Sequence, residues 1–128
     1  MQISEVNLWL FIAGVLSLVT CLIHAIMGGK AIAKPLREAR LEKVTKYTSL
    51  YVWYMVTFVL AVVSAGFILA SFDSSQYILV CFLVAMCVYF AVLNIYLGYR
   101  YKMSTKEMPQ WTLFLPIAIL GMTGLITG

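Results

Sequence analysis

His24 is the one histidine in the chain, and in its surroundings it is the side chain best suited to proton transfer or to switching between donor and acceptor. Tyr54, Thr57 and Asn94 are the polar groups that could join it, with Tyr96 and Gln110 within reach. His24 lies four residues before Gly28, Asn94 six before Arg100, and Tyr54 eight after Lys46. At 1.5 Å per residue these positions are roughly 6–12 Å inside the end of the molecule that carries the basic residues. Lys30, Lys34 and Arg37 follow at the mouth, with charges suited to a phosphate or carboxylate. The expected chemistry is recognition of a lipid-like or small hydrophobic ligand in a polar pocket. The same residues also fit a plain interhelical hydrogen bond between His24 and Asn94 or Tyr54. Lys30, Lys34 and Arg37 likewise fit a helix end with anchoring charges.

Other chemistries fit poorly. One histidine cannot hold a haem between two histidines, and it cannot build a metal site within one chain. Cys21 and His24, three apart on one helical face, could form a nucleophile and base, yet no oxyanion donor accompanies them. Proton-coupled pumps generally need a carboxylate inside the membrane, and none of the apolar stretches contains Asp, Glu, Lys or Arg. Small multidrug transporters of this length depend on a Glu in the first helix, whereas Glu5 lies at the edge of the first stretch. The Gly-rich Arg motif of the four-helix fluoride channels has no counterpart, nor has the Arg and Asn/Glu set of membrane glutathione-linked enzymes. No cofactor is implied.

These side chains must be positioned by elements made for lipid. Of 128 residues only 11% are charged and 63% are hydrophobic, against about 25% charged in an ordinary soluble domain. That composition excludes a soluble globular domain, a disordered chain and a nucleic-acid binder. The charges divide the sequence into uncharged stretches 6–29, 47–72, 74–99 and 108–128. Each is long enough for a helix across a bilayer, and a helix satisfies its own backbone polar groups there. The expectation is an all-α membrane protein, a single transmembrane domain over 1–128. Its four transmembrane helices, at about 6–28, 47–71, 75–99 and 109–127, form an antiparallel left-handed bundle.

All nine Lys and Arg fall in two connections, 29–46 and 100–108. With Glu38, Glu42 and Glu107 that side carries a net +6, while Glu5 and Asp73 mark the other side. The positive-inside rule places both basic loops in the cytoplasm and both termini outside. The short loops suit a bacterial inner membrane, and the basic loops suit anionic lipid head groups as partners. Pro35 is expected to start a short surface helix over 36–45, after Gly28 and Gly29 end the first span. Pro109 suits the first turn of the fourth helix, and Pro116 should kink it. Cys21, Cys81 and Cys87 lie within spans and are expected as free thiols.

Small residues mark the expected contact faces. They are Gly14, Ser17, Cys21, His24 and Gly28 in the first helix, and Tyr54, Thr57, Ala61 and Ser64 in the second. The third offers Cys87, Ala91, Asn94 and Gly98, and the fourth Gly121, Gly124 and Gly128. A bundle of this size encloses little volume, so transport or conduction would require a homo-oligomer. The alternative function is an accessory or scaffold subunit of a larger membrane complex, docking through exposed small faces such as Gly121, Gly124 and Gly128.

His24 followed by glycines, the Pro35-Leu36 pair, and then Trp53-Tyr54 and Thr57 resembles an uncharacterised group of small bacterial four-helix inner-membrane proteins. The resemblance covers the first two helices. That group typically has Trp-His where this chain has Trp53-Tyr54. It implies the four-helix fold and no activity, and the Tyr weakens a shared metal or haem role for the two positions.

Overall fold

The computed structural model describes residues 5–128. Among them all regular structure is helical. Helix α1 (Leu8–Ile23) continues without a break into a π-helical stretch (His24–Ala33) and then α2 (Lys34–Glu38). Helix α3 spans Lys43–Ser71, a 3-10 turn covers Ser74–Gln76, α4 spans Tyr77–Arg100, and α5 spans Trp111–Thr127. Three of the resulting rods, Leu8–Glu38, Lys43–Ser71 and Ser74–Arg100, are long and apolar enough to cross a membrane. The fourth, α5, is apolar and shorter, about 26 Å at 1.5 Å per residue. The protein is thus an all-helical bundle consistent with an integral membrane protein.

Two expectations about the first connection are corrected. Gly28 and Gly29 do not end the first helix, since neither adopts a positive φ and the helix runs on to Glu38. No surface helix covers 36–45 either: Leu36 belongs to α2 and Thr45 to α3, leaving a connection of only 39–42. The π-helical geometry ends against Pro35, where the last amide before the proline, that of Lys34, reaches the Gly29 carbonyl five residues back. Proline has no N–H to continue an α-helical ladder and crowds the carbonyl four residues before it. The wider π turn shifts that pairing and lets the rod pass through.

The helices meet evenly at the end opposite the basic residues. Asn7 ties three of them together there. Its Oδ1 accepts the Leu10 amide at 3.3 Å as the cap of α1, and its Nδ2 donates to the Gly124 carbonyl at 2.9 Å. Its own amide donates to the Ser71 carbonyl at 2.8 Å. Across the tight turn into α4, Asp73 accepts the Ser75 amide at 2.9 Å and the Gln76 side chain at 2.8 Å. At the basic end the rods stop at different heights, α5 first, and the pair formed by α1–α2 and α3 projects beyond it.

Around the bundle α1 packs on α3 and α5, and α4 packs on α5 and more lightly on α3. The core is Leu10, Ala13, Leu60, Val63, Phe67, Val80, Leu83, Cys87 and Ile117, with their neighbours. Most of the small-residue stripes of α1, α4 and α5 pack inside the molecule. A Cβ at Gly14 would lie 2.5 Å from the Ile68 side chain and 3.0 Å from its backbone nitrogen, and Ser64 Oγ donates to the Gly14 carbonyl at 2.9 Å. Gly121 packs on Val84 and Phe67, and Gly124 on Leu10. Of the docking face expected at Gly121, Gly124 and Gly128, the first two lie in a seam within this chain, and Gly128, at the end of α5, is exposed. The second-helix stripe is shifted: Ala61 and Tyr54 face outward, while Leu60, Val63, Ser64 and Phe67 face in.

Three exposed carboxylates close the ends of helices and turns. Glu42 accepts the Thr45 amide at 3.2 Å to cap α3, and Glu107 accepts the Ser104 amide at 2.7 Å and its hydroxyl at 3.0 Å. The backbone amides of Thr45 and Ser104 hold Glu42 and Glu107 below their usual 4.5. The Gln76 amide, with Ser75, holds Asp73 below its usual 3.8. A carboxyl lowered on folding stabilises the fold above its unfolded value and stops doing so as pH falls through its folded value. Thermal melts in detergent should therefore be level above about pH 5 and fall below pH 4. The Glu42→Gln, Glu107→Gln double variant should lose part of that acid dependence, and an unchanged profile would show that these caps do not matter to stability.

Candidate functional site

Counting from the end tied by Asn7, His24 on the first rod, Trp53 on α3, Asn94 on α4 and the start of α5 all lie about five helical turns away, roughly 25 Å. The polar residues thus share one level, as their sequence spacing implies. They divide between two helix pairs.

The first group lies between α1 and α3. His24 stacks on Trp53, with ring centroids 3.9 Å apart and planes 17° from parallel. Its Nε2 is 3.4 Å from the Trp53 carbonyl oxygen. Thr57 Oγ1 donates to that same carbonyl at 3.1 Å, and Cys21 Sγ donates to the Thr57 carbonyl at 3.6 Å. Gly28 leaves room for the indole: a Cβ there would come within 2.7 Å of the Trp53 ring. Tyr54 is 59% exposed on the outward side of α3. Trp53, which the helical spacing of candidate polar residues passed over, is the actual partner of His24. Stepping back four residues from Thr57, in line with Ser64 and Leu60, would have reached it.

The two adjacent glycines have different roles, which single methyl groups can separate. Gly28→Ala should lower stability by about 1–3 kcal/mol, because the added carbon meets the indole. At Gly29 a Cβ meets nothing within 4 Å, so Gly29→Ala should be neutral or stabilising by up to about 1 kcal/mol. Equal losses in denaturation of the two purified variants would contradict this assignment.

The second group lies between α4 and α5. Asn94 is buried on α4. Its Nδ2 donates to Gln110 Oε1 at 2.8 Å, and its Oδ1 accepts the Trp111 amide at 3.1 Å. It therefore caps α5 from a neighbouring helix, satisfying a donor that a helix start leaves free. The next amides are satisfied locally, Thr112 by the Pro109 carbonyl and Leu113 by the Gln110 carbonyl. Pro109 thus stands just ahead of the first turn of α5, while Pro116 lies within it.

Beside Asn94 the connection between α4 and α5 folds over a cavity of about 310 Å³. Ile95, Tyr99, Met103, Met108 and Trp111 supply apolar walls. Asn94, Ser104 and Thr105 supply the polar atoms, and Gly98 leaves the wall of α4 bare. Methionines adapt to irregular apolar shapes, and the volume falls at the small end of the range for ligand sites. The connection is held by Glu107 on Ser104 and by the Met103 amide on the Gly98 carbonyl at 2.8 Å. Lys102 closes the end of α4 in the left-handed region, at φ 55°. A second, larger and more open groove of about 560 Å³ between α4 and α5, walled by Val84, Val88, Val92, Met122 and Leu125, has little in it that could orient a ligand.

Lys30, Lys34 and Arg37 are exposed along the projecting end of the first rod and do not line this cavity. Among the described residues every fully buried side-chain nitrogen and oxygen has a hydrogen-bond partner. The buried hydroxyls turn back onto their own or neighbouring helices, as Ser17 does onto Ala13 and Thr20 onto Leu16. Cys21, Cys81 and Cys87 are free thiols. The bundle interior is therefore complete in itself, and the space that combines apolar walls with several polar groups is the cavity beside Asn94. Comparison with models of protein families, with curated proteins and with solved structures finds no match to this chain.

Proposed function

We propose that this protein is a small integral membrane protein that binds a lipid-like amphiphile at its basic end, with the cavity beside Asn94 as the binding site. That end faces the cytoplasm of a bacterial inner membrane in this reading, since the basic connections lie there. The observation that carries it is the cavity of about 310 Å³, mostly apolar with a few polar groups, beside the basic connection between α4 and α5. Of the residues expected to touch a ligand, Asn94 remains at the site. His24 and Thr57 support it indirectly by holding α1 against α3, and Lys30, Lys34 and Arg37 meet head groups farther along the projecting rod. An accessory-subunit role draws less support, because Gly121 and Gly124, two of the three glycines offered for it, are filled from within.

The test is photolabelling of the purified protein in phosphatidylcholine vesicles with a diazirine-bearing fatty alcohol. Labelling should concentrate on peptides from 94–111. Gly98→Leu should reduce it by on the order of tenfold, because the new side chain occupies the cavity. A Cβ at Gly98 makes only an ordinary 3.6 Å contact with the Met103 carbonyl, so this variant should still fold. Ile95→Trp is a second obstruction, from a residue half exposed toward the surroundings. Labelling spread evenly over the lipid-facing helices, or unchanged in both variants while they remain folded, would overturn the reading.

A further inference from the structure

Resting on that reading of the cavity, we infer that the amphiphile it takes is anionic: an apolar chain ending in a phosphate or similar acidic head, held by Arg100, Lys102 and Lys106. The inference comes from how charge is distributed around the site. The apolar walls and the neutral polar atoms of Asn94, Ser104 and Thr105 line the cavity itself. Arg100, Lys102 and Lys106 do not line it but are interleaved along the connection with Tyr99, Met103, Ser104 and Thr105, which do, and no carboxylate lies between 100 and 106. The nearest acid, Glu107, has its Oε2 engaged by the Ser104 amide and hydroxyl. None of the three cations has an ion-pair partner among the described residues. Arg100 lies with its guanidinium 5.6 Å from the Tyr101 ring centroid, a contact that leaves its N–H groups available.

Lys102 adds a second observation. It is the only described non-glycine residue with a positive φ. It occupies the position after α4 where glycine is the usual residue, because an L side chain is strained there. Its backbone turns the chain so that Met103 folds back onto Gly98 and roofs the cavity. Glycine would make that turn more easily, so the chain keeps a cation beside the lining residue Met103 at some cost to stability. The first amides of α5 are already taken by Asn94, Pro109 and Gln110, so the helix start does not provide the anion site and the side-chain cations must. The chain of the ligand would pass between Met103, Met108 and Trp111, and its head would sit at the rim.

Two properties separate this site from the general attraction of a basic protein surface for anionic lipid. It depends on Arg100, Lys102 and Lys106 rather than on the six cations of 30–46, and it requires the apolar cavity as well as the charge. Photoreactive dodecyl phosphate and photoreactive dodecanol should be compared on the purified protein in phosphatidylcholine vesicles. The phosphate probe should label peptides from 94–111 more strongly, on the order of tenfold, because the cations attract its head group. The Arg100→Gln, Lys102→Gln, Lys106→Gln triple variant should lose that preference while keeping dodecanol labelling. The Lys30→Gln, Lys34→Gln, Arg37→Gln variant should keep the preference. Inorganic phosphate at millimolar concentration should not compete. Equal labelling by the two probes, a preference that survives the first triple variant or disappears in the second, or competition by inorganic phosphate alone would each overturn the inference. In those cases loss of labelling in Gly98→Leu would still support the cavity as an amphiphile site. Failure of Gly98→Leu and Ile95→Trp to affect either probe would instead remove the cavity itself.

Discussion

Gly14→Ala should destabilise the protein by about 3 kcal/mol or more, the largest effect expected of any single methyl group here. The reason is what the added carbon would touch. It would stand 2.5 Å from the Ile68 side chain, 3.0 Å from the Ile68 backbone nitrogen and 3.2 Å from the Ser64 carbonyl oxygen. A flexible side-chain tip can swing away, but a backbone on a neighbouring helix cannot, so α1 and α3 would have to separate. Separation would also stretch the Ser64 hydroxyl bond to the Gly14 carbonyl, and it would loosen contacts along a seam that continues through Cys21 to the His24–Trp53 stack. Overpacking a well-filled contact commonly costs about 1–3 kcal/mol, and the immovable backbone places this site at the upper end. Apolar burial offers little compensation in a bilayer, where lipid is as apolar as the helix surface and close packing holds helices together. Gly66 gives the internal comparison. A Cβ there meets only side-chain atoms of Leu83, the nearest at 2.8 Å, so Gly66→Ala should cost less. Denaturation of both variants in mixed micelles, followed by circular dichroism, measures the difference. A Gly14→Ala protein as stable as the parent would mean that the α1–α3 approach is looser than described.

The sequence announced its helices clearly because charge is so costly in lipid that four uncharged stretches define four rods. It also announced the seam of α1. Gly14, Ser17, Cys21, His24 and Gly28 recur every three or four residues, and all but the partly exposed His24 and Gly28 are buried. Cys87, Ala91, Asn94 and Gly98 do the same on α4, and all four are buried. The glycines of α5 were legible as a contact face, but whether that face met a helix of this chain or another protein depends on packing partners, which spacing cannot supply. The Gly28-Gly29 pair misled for a physical reason. Glycine ends helices when it must adopt positive φ, but it also admits a large neighbouring ring. The residue that needs the space, Trp53, is 25 positions away. The π-helical passage before Pro35 has no compositional sign of its own. Asn7 carried a usable sign, an Asn just before an apolar run. Its link to Gly124 required the fold. The cavity was the least legible feature, since it is formed by a connection whose path depends on Glu107 reaching Ser104 and on the strained turn at Lys102.

The register of α3 is open to a test with adjacent residues. Trp53→Ala should lower stability by about 2 kcal/mol, while Tyr54→Ala should change it by less than about 0.5 kcal/mol. Fully buried Trp→Ala changes cost about 3–5 kcal/mol, and Trp53 is only partly buried, which sets the lower figure. Its removal would leave His24 without the ring it stacks on at 3.9 Å and leave a void over Gly28, where the indole now fills the space a Cβ would need. Tyr54 is 59% exposed and has no such contacts. In a bilayer its truncation removes lipid-facing surface that lipid refills, and surface changes of this kind are usually within about 0.5 kcal/mol. A polar cluster built on His24 and Tyr54 predicts the opposite order, because Tyr54 would then hold the histidine and Trp53 would face lipid. Trp53→Phe refines the result. A phenyl ring can still stack on the imidazole and fill much of the slot, so it should recover about half of the loss. Stability losses in the order Trp53→Ala, Trp53→Phe, Tyr54→Ala would place the indole in the seam. Equal losses for Trp53→Ala and Tyr54→Ala would mean that α3 is rotated from the position described and that His24 is held by a different group.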